Sequence, residues 1–126
     1  MLNGLPVLIV EDEPRLAMDL QTAIEQLDGL TIGPVASAAD ALALLKAQGV
    51  AAAIVDTILL DGAVSPLALK LIEQSVPFVL HTALGLPVDL AAQYPHIPVV
   101  MKPARPAAVL AALLERLAAD RRRIVA

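Results

Sequence analysis

With 126 residues, 58% hydrophobic but only 2% aromatic, the chain suffices for one domain around one core of Ala, Leu, Val and Ile, and lacks the aromatic faces of a nucleobase-stacking platform. Thirteen acidic against nine basic residues leave a net charge of -4, without the broad basic stripe that direct DNA or RNA binding requires. The absence of cysteine excludes disulfides and thiolate metal sites, and apolar runs well short of the roughly 20 residues that span a bilayer lead us to expect a cytoplasmic protein with no membrane insertion.

The first apolar run, Leu5 to Val10, reads as a strand and ends in acid at Glu11, Asp12 and Glu13. Pro14 behind these carboxylates predicts a helix start. Leu16, Leu20, Ala23, Ile24 and Leu27 follow at helical spacing until Gly29. Leu30 to Val35 predicts a second strand, broken by Gly33-Pro34. Ser37 and Asp40 form a capping-box signature for a helix that presents Ala41, Leu42 and Leu45 and stops at Gly49. Ala52 to Asp56 reads as a strand buried on both faces, its apolar run stopping on a carboxylate. A loop through Gly62 follows, in which Asp61 caps or solvates a turn. Ser65-Pro66 opens a third helix with Leu67, Leu71 and Ile72 inward, and Val76 to Leu80 predicts a fourth strand running into His81-Thr82-Ala83. Between Leu84 and Tyr94, Gly85, Pro87 and the closing Pro95 leave room for two helical turns at most, around Asp89 to Tyr94. Ile97 to Met101 is a fifth strand ending at Lys102-Pro103. Pro106 to Leu117 is a last helix with Val109, Leu110, Leu113, Leu114 and Leu117 on one side. Residues 120–126 are expected as a basic tail, in which Arg121 to Arg123 complement the helix C-terminal dipole.

Strand and helix alternate five times, which predicts an α/β fold with a parallel sheet, right-handed crossovers and helices on both faces. The expected architecture is flavodoxin-like and doubly wound, with strand order 2-1-3-4-5 and a short or irregular fourth helix. One domain covers 1–126, its core about 5–119. That order makes the first and third strands neighbours, so Asp12 and Asp56 meet at the switch point, where ligands of open α/β sheets bind.

Four strands thus each leave a reactive group at their carboxyl ends: Glu11/Asp12, Asp56, Thr82 and Lys102. Converging carboxylates are costly unless a cation neutralises them, and hard oxygen donors favour Mg²⁺. Such an ion lets Asp56 act as a nucleophile toward a phosphoryl group. Thr82 offers a hydroxyl donor to that group, and Lys102 a positive charge.

In these residues the chain resembles, along essentially its whole length, the receiver domain of two-component response regulators. The match rests on the acid pair Glu11 and Asp12, on Asp56, on Thr82 followed by Ala83, and on Lys102 followed by Pro103. The resemblance implies that Asp56 is the phosphoacceptor, and that Mg²⁺ is held by Asp12, Asp56 and the backbone carbonyl of Ile58, with Glu11 acting mostly through water. It implies a histidine kinase or histidine phosphotransfer protein as donor, slow self-hydrolysis and a cis Lys102-Pro103 bond. A stand-alone switch is expected rather than an enzyme. It would signal through protein contact, with an effector or homodimer at the last helices, or serve as an intermediate or sink for phosphoryl groups.

Two departures stand out. Receivers usually carry an aromatic ring three residues before the lysine, where this chain has Val99. A second receiver group carries it two residues after the threonine, where this chain has Leu84. Tyr94 fits neither place. The Pro87 and Pro95 bracket resembles that second group, and we expect phosphorylation to reorganise Leu84 to Tyr94. Ile58 and Leu84 flank the attacking water in receivers, and apolar side chains there predict slow dephosphorylation. Other readings are a receiver-like binding module regulated without phosphorylation, an aspartyl-phosphate phosphatase, and a flavodoxin-like binding module. The phosphatase wants a second Asp at position 58, where Ile stands, and the flavodoxin-like module wants a phosphate loop where Glu11-Asp12-Glu13 would repel one. His81 and His96 are expected to be structural or exposed.

Overall fold

A computed structural model describes residues 1–125, with the side chains of residues 1–122. Ala126 and the side chain of Arg123, both in the expected tail, lie outside the described residues. The elements run β1 (Pro6–Val10), α1 (Pro14–Gln26), β2 (Leu30–Val35), α2 (Ala38–Ala47), β3 (Ala52–Val55), β4 (Ile58–Leu59), β5 (Gly62–Ala63), α3 (Ser65–Glu73), β6 (Phe78–Thr82), α4 (Val88–Gln93), β7 (Val99–Met101) and α5 (Pro106–Val125). Five strands form one parallel sheet in the order β2-β1-β3-β6-β7, the expected doubly wound order.

Alternation along the strands sorts the core into two layers. Leu8, Val10, Ala53, Val55, Phe78 and Leu80 face α2, α3 and Leu90 of α4. Val7, Ile9, Ala52, Ile54 and Val79 face Ala17, Leu20 and Ile24 of α1 and Val109, Leu110 and Leu113 of α5. Burial on both faces explains why β1 and β3 are unbroken apolar runs, each large aliphatic side chain contributing about 1.5–3 kcal/mol.

Between β1 and β2 the register steps from Leu8↔Ile32 to Val10↔Val35, one residue more on β2, so Gly33-Pro34 bulges the strand without ending it. Gly33 sits at φ +86°, where a Cβ would lie 2.9 Å from the Val35 nitrogen and 3.1 Å from the Ile9 oxygen. The bulge aims the Val35 carbonyl at the Glu11 N–H, 2.8 Å away, and so helps seat the first acid of the site. The Gly33-Pro34 bond is cis, as is Lys102-Pro103.

Other details depart from the sequence-based expectations. The Asp56 to Gly62 loop folds into a small antiparallel hairpin, β4 with β5, too short to show a period-two pattern. The fourth strand starts later than expected and carries His81 and Thr82 within it. Helix α5 continues past Leu117 to Val125, because no breaker interrupts the Ala- and Arg-rich stretch. On α3, Ala68 joins Leu67 and Leu71 in the core, and the half-buried Ile72 packs against it as expected. Among the described residues no helix is long and apolar enough to cross a membrane.

Candidate functional site

The sheet delivers its reactive groups to one edge. Asp56 N–H donates to the Val10 carbonyl at 2.9 Å, and Lys102 N–H to the Thr82 carbonyl at 2.8 Å. The residue after β1 is therefore beside the residue after β3, and the end of β6 is beside the residue after β7. Carboxylate oxygens of Glu11, Asp12 and Asp56 all lie within 4.8 Å of one another. Glu11 and Asp56 are buried while Asp12 is exposed. The Lys102 ammonium reaches into the cluster, 2.8 Å from Asp56 Oδ2 and 3.0 Å from Glu11 Oε1. The structure thus brings Glu11, Asp12, Asp56 and Lys102 together, as the sequence suggested.

The electrostatics follow from that crowding. Burial above all, and the nearby charge of Asp56, push the Glu11 carboxyl up to about 7, against the lowering pull of Lys102 and of the Glu13 N–H. Burial would draw the Lys102 ammonium down, but its hydrogen bonds to Asp56 and Glu11 outweigh this and hold it above the ordinary lysine value. Lys102 stays charged and serves as the internal counterion. Three hard oxygen donors around an exposed opening, one of them strained toward protonation, fit a divalent cation of the Mg²⁺ kind. The cluster resembles a receiver metal site.

Thr82 stands apart from the cluster in its bonding. Fully buried, its Oγ1 lies 2.6 Å from Thr57 Oγ1 and accepts the Leu84 N–H at 2.9 Å. Thr57 is the functional candidate that sequence reasoning missed. Its signal was a lone hydroxyl after Asp56 in the apolar stretch Ile54 to Leu60. Ile58 donates its backbone N–H to Asp56 Oδ1 at 3.2 Å. Ile58 is 55% exposed and Leu84 72%. Together they rim a cleft of about 400 Å³ between the β4–β5 hairpin and the Leu84–Val88 loop.

Three further expectations resolve here. Asp61 is a cap: its carboxylate accepts the Ala38 and Ala39 N–H groups at 2.8 and 3.0 Å. These bonds hold its carboxyl below the ordinary value, and Ser37 Oγ takes the Asp40 N–H at 3.0 Å, so the first turn of α2 is satisfied. His81 is buried with neither ring nitrogen bonded. Burial first, then the charge of Lys102, holds its pKa below the ordinary imidazole value, so it packs as a neutral ring, whereas His96 is exposed. Val99, half-buried, packs against the α2–α3 layer where an aromatic ring would stand.

Comparison with protein-family models finds no match, and comparison with curated proteins finds none either. Solved structures do match. SdrG from Sphingomonas melonis Fr1 is 36% identical, with 90% of this chain and 99% of that chain covered at a TM-score of 0.72. The response regulator PhyR from Brucella abortus is 27% identical at a TM-score of 0.80, over 97% of this chain and 51% of that one, so the chain spans about half of PhyR. The REC domain of PhyR from Erythrobacter litoralis, 22% identical with 92% of each chain covered and a TM-score of 0.77, shares the fold.

Proposed function

This chain belongs to the receiver domains of response regulators, and from that premise we propose that Asp56 accepts a phosphoryl group from the phosphohistidine of a histidine kinase or histidine phosphotransfer protein. The observation that carries the reading is the Lys102 ammonium held between Asp56 and Glu11, at 2.8 and 3.0 Å, inside a three-carboxylate cluster. An isolated surface acid has no use for a partly buried lysine and two neighbouring acids.

In the reaction an oxygen of Asp56 attacks the donor phosphorus as the P–N bond breaks, and the imidazole nitrogen keeps the electron pair. Asp12, Asp56 and the Ile58 carbonyl would hold Mg²⁺, with Glu11 acting through water. That ion, when bound, offsets charge on the phosphoryl oxygens. Lys102 exchanges its bond to Asp56 for one to a phosphoryl oxygen, and the Thr82 hydroxyl turns to another. Water later attacks phosphorus and frees Asp56. This step is slow, because Ile58 and Leu84 offer the water no hydrogen bond. The phosphorylated state signals by protein contact, through an effector or a second copy at the last helices, or passes the group on.

Incubation with phosphoramidate, a small P–N donor, in the presence of Mg²⁺ tests the reading on a phosphate-affinity gel. A shifted band that requires Mg²⁺ supports it. An unshifted band over hours, or fast turnover of simple phosphate esters in its place, would sink it.

A further inference from the structure

The Thr82 hydroxyl is held on two sides, and neither partner belongs to the acid-and-lysine cluster. One is the Leu84 N–H at 2.9 Å, and the other is Thr57 Oγ1 at 2.6 Å. Thr82 is 0% exposed and Thr57 6%, so water is poorly placed to replace either bond. A hydroxyl buried at that depth is costly unless it is bonded. The Thr57–Thr82 pair satisfies two such groups at once. It also ties the residue that follows Asp56 to the end of the strand that leads into the Leu84–Val88 loop.

We propose that Thr57 is a positioning residue whose hydroxyl holds that of Thr82 in a resting pose, so that a phosphoryl oxygen on Asp56 has to win Thr82 away from it. The proposal rests on the receiver reading and extends it to the control of switching. Either hydroxyl can donate in the 2.6 Å bond, and in both cases the bond holds Thr82 Oγ1 beside Thr57 and has to break before Thr82 can turn to a phosphoryl oxygen. Turning Thr82 inward breaks the 2.6 Å bond and loosens its hold on the Leu84 N–H, which delivers the change to the loop through a backbone amide. With Val99 in place of a ring, this hydrogen-bonded chain supplies a route that needs no aromatic side chain.

Thr57→Val keeps the shape and removes the bond, whereas Thr57→Ser keeps it. Beryllofluoride with Mg²⁺ is the probe, titrated by ¹⁹F and amide NMR on the full chain. Thr57→Val is expected to bind about fivefold tighter than the original, since one net hydrogen bond of about 1 kcal/mol no longer has to be broken. Thr57→Ser is expected to match the original, and the Leu84 amide of unliganded Thr57→Val to exchange faster. If Thr57→Val does not fold, Thr57→Ala removes the same bond and carries the same expectation. Equal or weaker binding by the bond-free variant overturns the proposal, including the case where the melting temperature alone falls. Failure of the original chain to bind the probe through Asp56 removes the receiver reading and this proposal with it. Normal binding by the original with an unchanged Thr57→Val removes this proposal alone.

Discussion

Replacing Glu11 with Gln tests the electrostatic account of the site. The Glu11 side chain is 2% exposed and 3.0 Å from Lys102, and its carboxyl is held at about 7 against an ordinary 4.5. At 1.36 kcal/mol per pH unit this costs the ionised form about 3 kcal/mol in the native state. The raised pKa means that between about 4.5 and 7 the native chain keeps a proton that the unfolded chain has shed. The stabilisation is complete below about 4.5 and is lost as pH rises through about 7. Glu11→Gln cannot ionise and should remove that slope. Because Asp56 and Lys102 share the cost, we expect the variant to gain about 2 kcal/mol over the original chain between pH 5 and pH 8.5. Urea unfolding at both pH values, without metal, measures this difference. Mg²⁺ should narrow the gap at pH 8.5, because the ionised acid then has a cation to face. Parallel pH profiles for the two proteins would refute the reasoning, since Glu11 would then titrate alike folded and unfolded.

Lys102→Met removes the ammonium that competes for Asp56 Oδ2 and Glu11 Oε1; Mg²⁺ affinity should rise about tenfold, or about 1.4 kcal/mol, by calorimetric titration, and a fall would contradict the counterion role. Gly33→Ala, forced to φ +86° with backbone 2.9 Å from its Cβ, should cost about 2 kcal/mol in urea unfolding, and no loss would mean that the bulge is not what seats Glu11. Ile58→Asn with Leu84→Lys places polar groups at two exposed rim positions and should shorten the phosphorylated half-life several-fold in a time course of dephosphorylation. An unchanged half-life removes our account of slow hydrolysis. Beryllofluoride should change amide exchange between Leu84 and Tyr94, and unchanged protection across that segment would remove the expected loop reorganisation.

The fold was legible because the central strands are apolar runs with acids or Thr82 at their ends, because Lys102 closes the last strand, and because proline and serine mark the helix starts. The acid-and-lysine cluster was legible for the same reason: strand order alone makes neighbours of Glu11/Asp12 and Asp56. Less could be read where geometry depends on one hydrogen bond or on very few residues. The β4–β5 hairpin is four residues of strand, Asp61 caps a helix start that lies 22 and 23 residues upstream, and the Thr57–Thr82 bond spans 25 residues. None of these contacts leaves a periodic trace. The end of α5 was misjudged for another reason: after Leu117 its apolar stripe thins out while its helix propensity does not.

The proposed function requires Asp56 to become an acyl phosphate. Treating the chain with acetyl phosphate and Mg²⁺, reducing it with borohydride and mapping its peptides should convert Asp56, and no other carboxylate, to homoserine. Conversion at Asp12, at Glu11 or nowhere would contradict it.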